Sequence, residues 1–184
     1  VKRARIQLPD SLVPWRCVVL AVDTARMSGW SIRAGEHQRE FGEADTYDHA
    51  ALTHIVRFAL QYAARRSEPL VLVLERPFGG ERHTVAGLER ATERWMVAWR
   101  GAGQSPKRVV RVYPPTWRAR VLGGRFVAAP RELVRAEELR VAHARLGVLD
   151  EEDLTHDEAA AVLIGIWAAR AGAVGKTFKA RRTA

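Results

Sequence analysis

Two stretches, CVVLAVD at 17–23 and PLVLVLE at 69–75, are almost free of polar side chains until each closes on an acid. They are short and rich in valine and leucine, so they read as buried strands rather than helices. A strand apolar on both faces must be covered on both sides, which is the situation of a central strand in an α/β sheet. WSIRAG from Trp30 and HQREFGE at 37–43 follow the first stretch through Gly-containing turns and read as an antiparallel meander. RVVRVYP at 108–114 is the fifth strand. Helical period runs through 49–66, where Leu52, Ile55, Val56, Ala59, Leu60 and Ala63 share one side, and again near 84–100, 116–122, 131–145 and 156–171. The order β-β-β-α-β-α-β-α-α-α predicts an α/β fold, a five-stranded mixed sheet with helices on both faces. The domain is expected over 17–172, with a basic lead-in at 1–16 and a basic tail at 173–184.

Charge narrows the partner. Thirty Lys and Arg against twenty-one Asp and Glu give a net charge of +9, which draws polyanions, nucleic acid first among them. Basic residues are spread along the chain, which disfavours an anionic membrane surface. Apolar runs end well short of the roughly 20 residues that span a bilayer, so no membrane partner is expected. One cysteine, Cys17, excludes an internal disulfide framework and a Cys-rich zinc module. It opens an apolar strand and is expected in the core. The start, VKRARIQLPDS, has no apolar segment after its basic residues, and a cytoplasmic setting is expected. Neither G-x-x-x-x-G-K-[ST], nor G-x-G-x-x-G, nor G-x-S-x-G occurs, which disfavours a P-loop ATPase, a dinucleotide-binding domain and a nucleophile-elbow hydrolase.

The strand-ending acids Asp23 and Glu75 are the first candidates for chemistry, because ligands of such sheets bind beyond the carboxyl ends of the central strands. Either acid alone reads as a solvated strand end; two of them in one chain, each closing an apolar strand and set near one edge of the sheet, weaken that reading. Asp157, beside His156, opens the last helix, where an acid also serves as a dipole partner or cap. Asp23, Glu75 and Asp157 together make an oxygen-rich set for Mg²⁺ or Mn²⁺, a chemistry suited to phosphodiester hydrolysis. His156 is either a further ligand, a holder of water or an ordinary histidine, and Glu158 reads as surface.

These segments resemble RuvC-type Holliday junction resolvases. LAVDTARMSGWSI resembles the family's first hairpin, and VLVLERPF its second acidic segment. RVYPPTWRARVLGG resembles the stretch of a proline, a basic residue and a glycine turn, and THDEAAAVLIGIWAA the last helix. The resemblance covers about residues 17–172. It implies an RNase H-like fold and a homodimer that nicks four-way DNA junctions symmetrically with a divalent metal, in a bacterial cell or a phage-infected host. It places Arg118 and Arg131 where the family carries DNA-facing lysines, with Arg82, Lys107 and Lys179 as further expected contacts. It makes Phe78 a candidate wedge at the junction centre, against the plainer reading of a buried loop anchor. The helix at 84–100 reads either as a solvated face or as a dimer and DNA surface, the latter because of Val85, Leu88, Trp95, Met96 and Trp99.

One position departs from the family pattern. A second acid is expected one helical turn beyond Asp157, and Ala160 stands there. Either the substitution inactivates the site or the chain uses His156 and Asp157 instead. The rival readings are a non-catalytic branched-DNA-binding protein and another RNase H-like nuclease.

Overall fold

The computed structural model describes residues 17–77, 82–147 and 154–173. The lead-in 1–16, Phe78 and Lys179 lie outside them, as does the side chain of Arg82.

The strands are β1 (Val18–Asp23), β2 (Met27–Ala34), β3 (His37–Asp45), β4 (Leu70–Glu75) and β5 (Val109–Val112). The helices are α1 (His49–Arg65), α2 (Arg82–Gly101), α3 (Pro114–Val121), α4 (Arg131–Leu146) and α5 (His156–Ala173). This is the element order read from the sequence. The sheet order is β3-β2-β1-β4-β5, antiparallel across β1, β2 and β3 and parallel across β1, β4 and β5.

Strand alternation divides the core in two. Val18, Leu20, Val22, Leu70, Leu72 and Leu74 face α1 and α2. Val19, Ala21, Val71 and Val73 face the other way, into a cluster with Trp117, Val134 and the apolar side of α5. Cys17 belongs to this second cluster, and burial with the nearby charge of Glu68 pushes its thiol up to about 11. A thiol so held is inert at neutral pH.

Trp95 and Trp99 are fully buried and Met96 nearly so, all within the α1–α2 side of the core. The aromatic residues of α2 therefore cover the sheet of their own chain. What α2 leaves outside is mainly polar, with Val97 its exposed large hydrophobic residue at 47%. Of the residues that suggested a dimer interface, Trp95, Met96 and Trp99 are used internally, while Val85 and Leu88 stay half-buried outside the core clusters.

Gly29 on β2 lies beneath the start of α5, where an added Cβ would overlap the Asp157 carbonyl. The obstacle is backbone on both sides, so neither partner yields cheaply. Ser31, two residues on, donates its hydroxyl to the Ala161 carbonyl at 2.8 Å and fixes the same approach. Replacing Gly29 with Ala is expected to destabilise the chain by about 1–3 kcal/mol, the usual cost of overpacking, read as a drop in urea midpoint.

Candidate active site

β1 and β4 pair in parallel with Val22 opposite Leu74, so their terminal acids end side by side. By alternation Asp23 keeps the side of Val19 and Ala21, and Glu75 that of Val71 and Val73. Both carboxylates thus look toward α3, α4 and α5. The Thr24 hydroxyl donates to the Glu75 carbonyl at 2.8 Å and ties the two strand ends together.

The Asp23 and Glu75 carboxyl groups lie within hydrogen-bonding reach of each other. Burial raises the Asp23 pKa well above the usual carboxylate range, followed by the charge of Glu75, their shared hydrogen bond, and the charges of Asp157 and Glu138. Glu75 also accepts from Trp117 Nε1 at 2.7 Å, so the indole on α3 fixes its orientation.

Asp157 stands in the first turn of α5. Its pKa is raised by burial, then by Glu43, and also by Glu75; Arg135 and His156 oppose the rise. The helix start is fixed by a reciprocal cap. The Thr155 N–H donates to Glu158 Oε2 at 2.8 Å, and the Glu158 N–H donates to Thr155 Oγ1 at 3.2 Å. The same hydroxyl donates to Glu43 Oε1 at 2.7 Å, which joins edge strand β3 to the helix. Glu158 is thus a capping residue, more than the surface acid expected. His156 is half-buried with Nδ1 unpartnered among the described residues. Ala160 is 2% exposed and lies in the apolar cluster with Val73 and Trp117.

Two acids beyond the expected set border this edge. Glu43 faces Gly29 across the β2–β3 ladder and acts on Asp157. Glu138, on α4, is 3% exposed and acts on Asp23. Burial raises the pKa of Glu138, against the lowering influence of Arg118, whose Nε donates to Glu138 Oε1 at 2.7 Å.

Arg118 is therefore an ion-pair partner whose side chain is 28% exposed. Arg118→Ala should leave a buried carboxylate uncompensated and lower stability by about 1–3 kcal/mol, less than the loss of a fully buried pair because solvent screens this one. Adding Glu138→Gln should recover most of that loss, as measured by urea denaturation of both variants.

Arg131 begins α4 and is exposed. Lys107 lies in a 3-10 turn, Pro106–Arg108, just before β5. Because β5 runs parallel to β4 with Val112 beside Glu75, that turn is at the opposite edge of the sheet.

The donors at the edge are carboxylate oxygens, the ligand type that Mg²⁺ and Mn²⁺ take. Asp23 and Glu75 fit such an ion as a pair, since adjacent carboxylates at the ends of paired strands repel each other unless a cation joins them. The three-acid set is less complete. Among the described residues no group of three His, Cys, Asp or Glu side chains is arranged to hold a metal ion. The cap at Thr155 and the close approach at Gly29 fix where α5 begins, and Ala160, one turn on, offers no ligand.

No protein-family model and no curated protein matches the sequence. Solved structures do match in fold. The chain is similar to RuvC of Thermus thermophilus, with 18% identity and a TM-score of 0.63 over 88% of this chain and 98% of that one. It is also similar to Thermus thermophilus RuvC in complex with a Holliday junction substrate, with 16% identity and a TM-score of 0.60 over 89% of this chain and 98% of that one. The five-stranded mixed sheet with flanking helices is the RNase H-like fold of RuvC-type resolvases.

Proposed function

We propose that this chain is an RNase H-like nuclease domain acting on branched DNA, with the four-way junction as substrate and the Asp23–Glu75 pair as its catalytic centre. The observation that carries the reading is the pair itself: two adjacent carboxylates at the ends of paired parallel strands, with Asp157 electrostatically coupled to them. Carboxylates gathered at this cost in charge repulsion and desolvation mark functional sites.

Asp23 and Glu75 would hold Mg²⁺ or Mn²⁺, which supplies charge stabilisation at the scissile phosphate and an activated water. Trp117 holds Glu75 in place, and His156, half-buried beside Asp157, offers a nitrogen to orient water. Arg131 gives a phosphate contact outside the acidic edge, while Arg118 neutralises Glu138. The net charge of +9 favours association with DNA.

Paired nicking requires two copies, so a homodimer belongs to the reading, as does a cytoplasmic setting in a bacterium or a phage-infected host. Among the described residues no helix is long and apolar enough to cross a membrane.

A second reading is favoured by Ala160: the chain binds branched DNA without cutting it. An apolar residue buried at the position of an expected ligand is what a site relieved of catalysis would carry. Nicking of an end-labelled four-way junction in Mg²⁺ or Mn²⁺ separates the two. Cleavage lost in chelator and in Glu75→Gln supports the nuclease reading. Tight junction binding with no cleavage in either metal supports the second.

A further inference from the structure

On the other side of the sheet from the carboxylates, the turn after β1 and the end of β3 meet the first half of α2 around a cavity of about 300 Å³. Arg26 comes from the turn, Arg90 and Arg94 from α2, and His83 and Thr84 from the start of that helix. None of the residues lining it is acidic. Its size is at the lower end for ligand pockets, about 300–1,000 Å³, and suits one phosphate with its sugar.

The cations are held in position. The Thr46 N–H and Oγ1 donate to the Arg26 carbonyl at 2.9 and 3.1 Å, which fixes the turn. Arg94 donates to the Thr46 carbonyl at 3.4 Å, and its guanidinium lies 3.8 Å from the centre of the Tyr47 ring. Arg26 approaches the same ring at 5.8 Å. With Arg94 on its face, Tyr47 orders cations more readily than it could stack a base.

Arg90 and Arg94 are one helical turn apart, and like charges at that spacing repel. Among the described residues none of the ion pairs involves Arg26, Arg90 or Arg94. Among the described residues the three guanidinium groups have no anionic partner, and phosphate fits their planar forks.

We infer that this cavity holds one backbone phosphate of a DNA strand crossing the carboxyl edge, a second anchoring point set apart from the scissile position. The inference rests on the DNA-binding part of the proposed function and not on cleavage. It makes Arg26, Arg90 and Arg94 substrate-positioning residues, with Tyr47 holding the fork of Arg94.

The test is the salt dependence of DNA affinity for the full chain, in chelator, with a linear duplex and a four-way junction of the same arm sequence. The Arg26→Gln/Arg90→Gln variant should lower the log–log salt slope by roughly 1 on both DNAs, since one lost phosphate contact lowers it by about 1. Arg90→Gln alone should give a smaller drop and serves if the double variant folds poorly. Arg100→Gln, at the far end of the same helix and facing Glu93, should leave the slope unchanged. An unchanged slope in the double variant overturns the inference. So does an equal loss in Arg100→Gln, or a chain that binds neither DNA. Failure to nick in metal would instead count against the nuclease reading, and leaves the slope measurement intact.

Discussion

Asp23→Asn is expected to raise the melting temperature at neutral pH in chelator while abolishing metal-dependent nicking. Asp23 holds its proton to higher pH in the folded chain than in the unfolded one, because of burial and then Glu75. The stability it contributes is complete below the ordinary carboxylate range, near pH 4, and is lost as pH rises through the raised folded pKa. At neutral pH the fold therefore carries a carboxylate it would rather protonate. Asparagine removes that charge and keeps a polar group against Glu75. The gain should amount to a few degrees, each kcal/mol being worth about 2–4 °C in a chain of this size. The advantage of the variant should shrink as pH falls toward 4, when Asp23 protonates on its own. Loss of nicking should exceed the roughly 10–100-fold that follows loss of a ligand's outer partner. Thermal melts from pH 4 to 8 beside a junction assay check both halves. Stability gained at the expense of function is the usual signature of an active-site charge.

Ala160→Asp should act in the opposite sense. The position is 2% exposed within an apolar cluster and one helical turn from Asp157, so a new carboxylate there is desolvated among existing acids. In chelator the variant should lose stability, on the order of 3 kcal/mol, through a buried charge without a partner. Mn²⁺ should restore much of this, because a cation bound only by the folded state stabilises it. Junction nicking should rise tenfold or more over the given chain. Equal nicking by both chains would mean that Asp23, Glu75, Asp157 and His156 already form a complete site. Tight binding without cleavage by either would favour the non-catalytic reading.

Much of this arrangement is legible in the residues. The strands ending at Asp23 and Glu75 stand out because both faces of a central strand are apolar, and their parallel pairing brings the acids together. The helical start at Asp157 is legible too, and the Thr155-x-x-Glu158 spacing could have identified Glu158 as a capping residue. The place of Lys107 is legible as well, since a residue that precedes a parallel strand lies at the edge opposite one that ends its neighbour.

Other features depend on tertiary packing. Trp95, Met96 and Trp99 suggest an interface until both sheet faces are seen to need cover. Glu43 lies on an edge strand and Glu138 on a helix of mixed charge, and in sequence neither differs from a surface acid. Only the packing of α4 against α5 makes Glu138 a buried neighbour of Asp23, and only then does Arg118 become its counterion. Trp117 looks like ordinary core until its indole nitrogen is found on Glu75. The arginine cavity joins residues 26, 47 and 94, which share no local pattern.

The proposed role of Asp23 and Glu75 is that of a cation-binding pair, not of two half-buried acids kept for packing. The direct measurement is the melting temperature of the chain and of Glu75→Gln, each with chelator and with saturating Mn²⁺ at neutral pH. A clear upward shift with Mn²⁺ is expected for the chain, about 2.7 kcal/mol of stabilisation at a hundredfold excess over Kd, and little or none for Glu75→Gln. Equal shifts in the two proteins, or no shift in the chain itself, would contradict it.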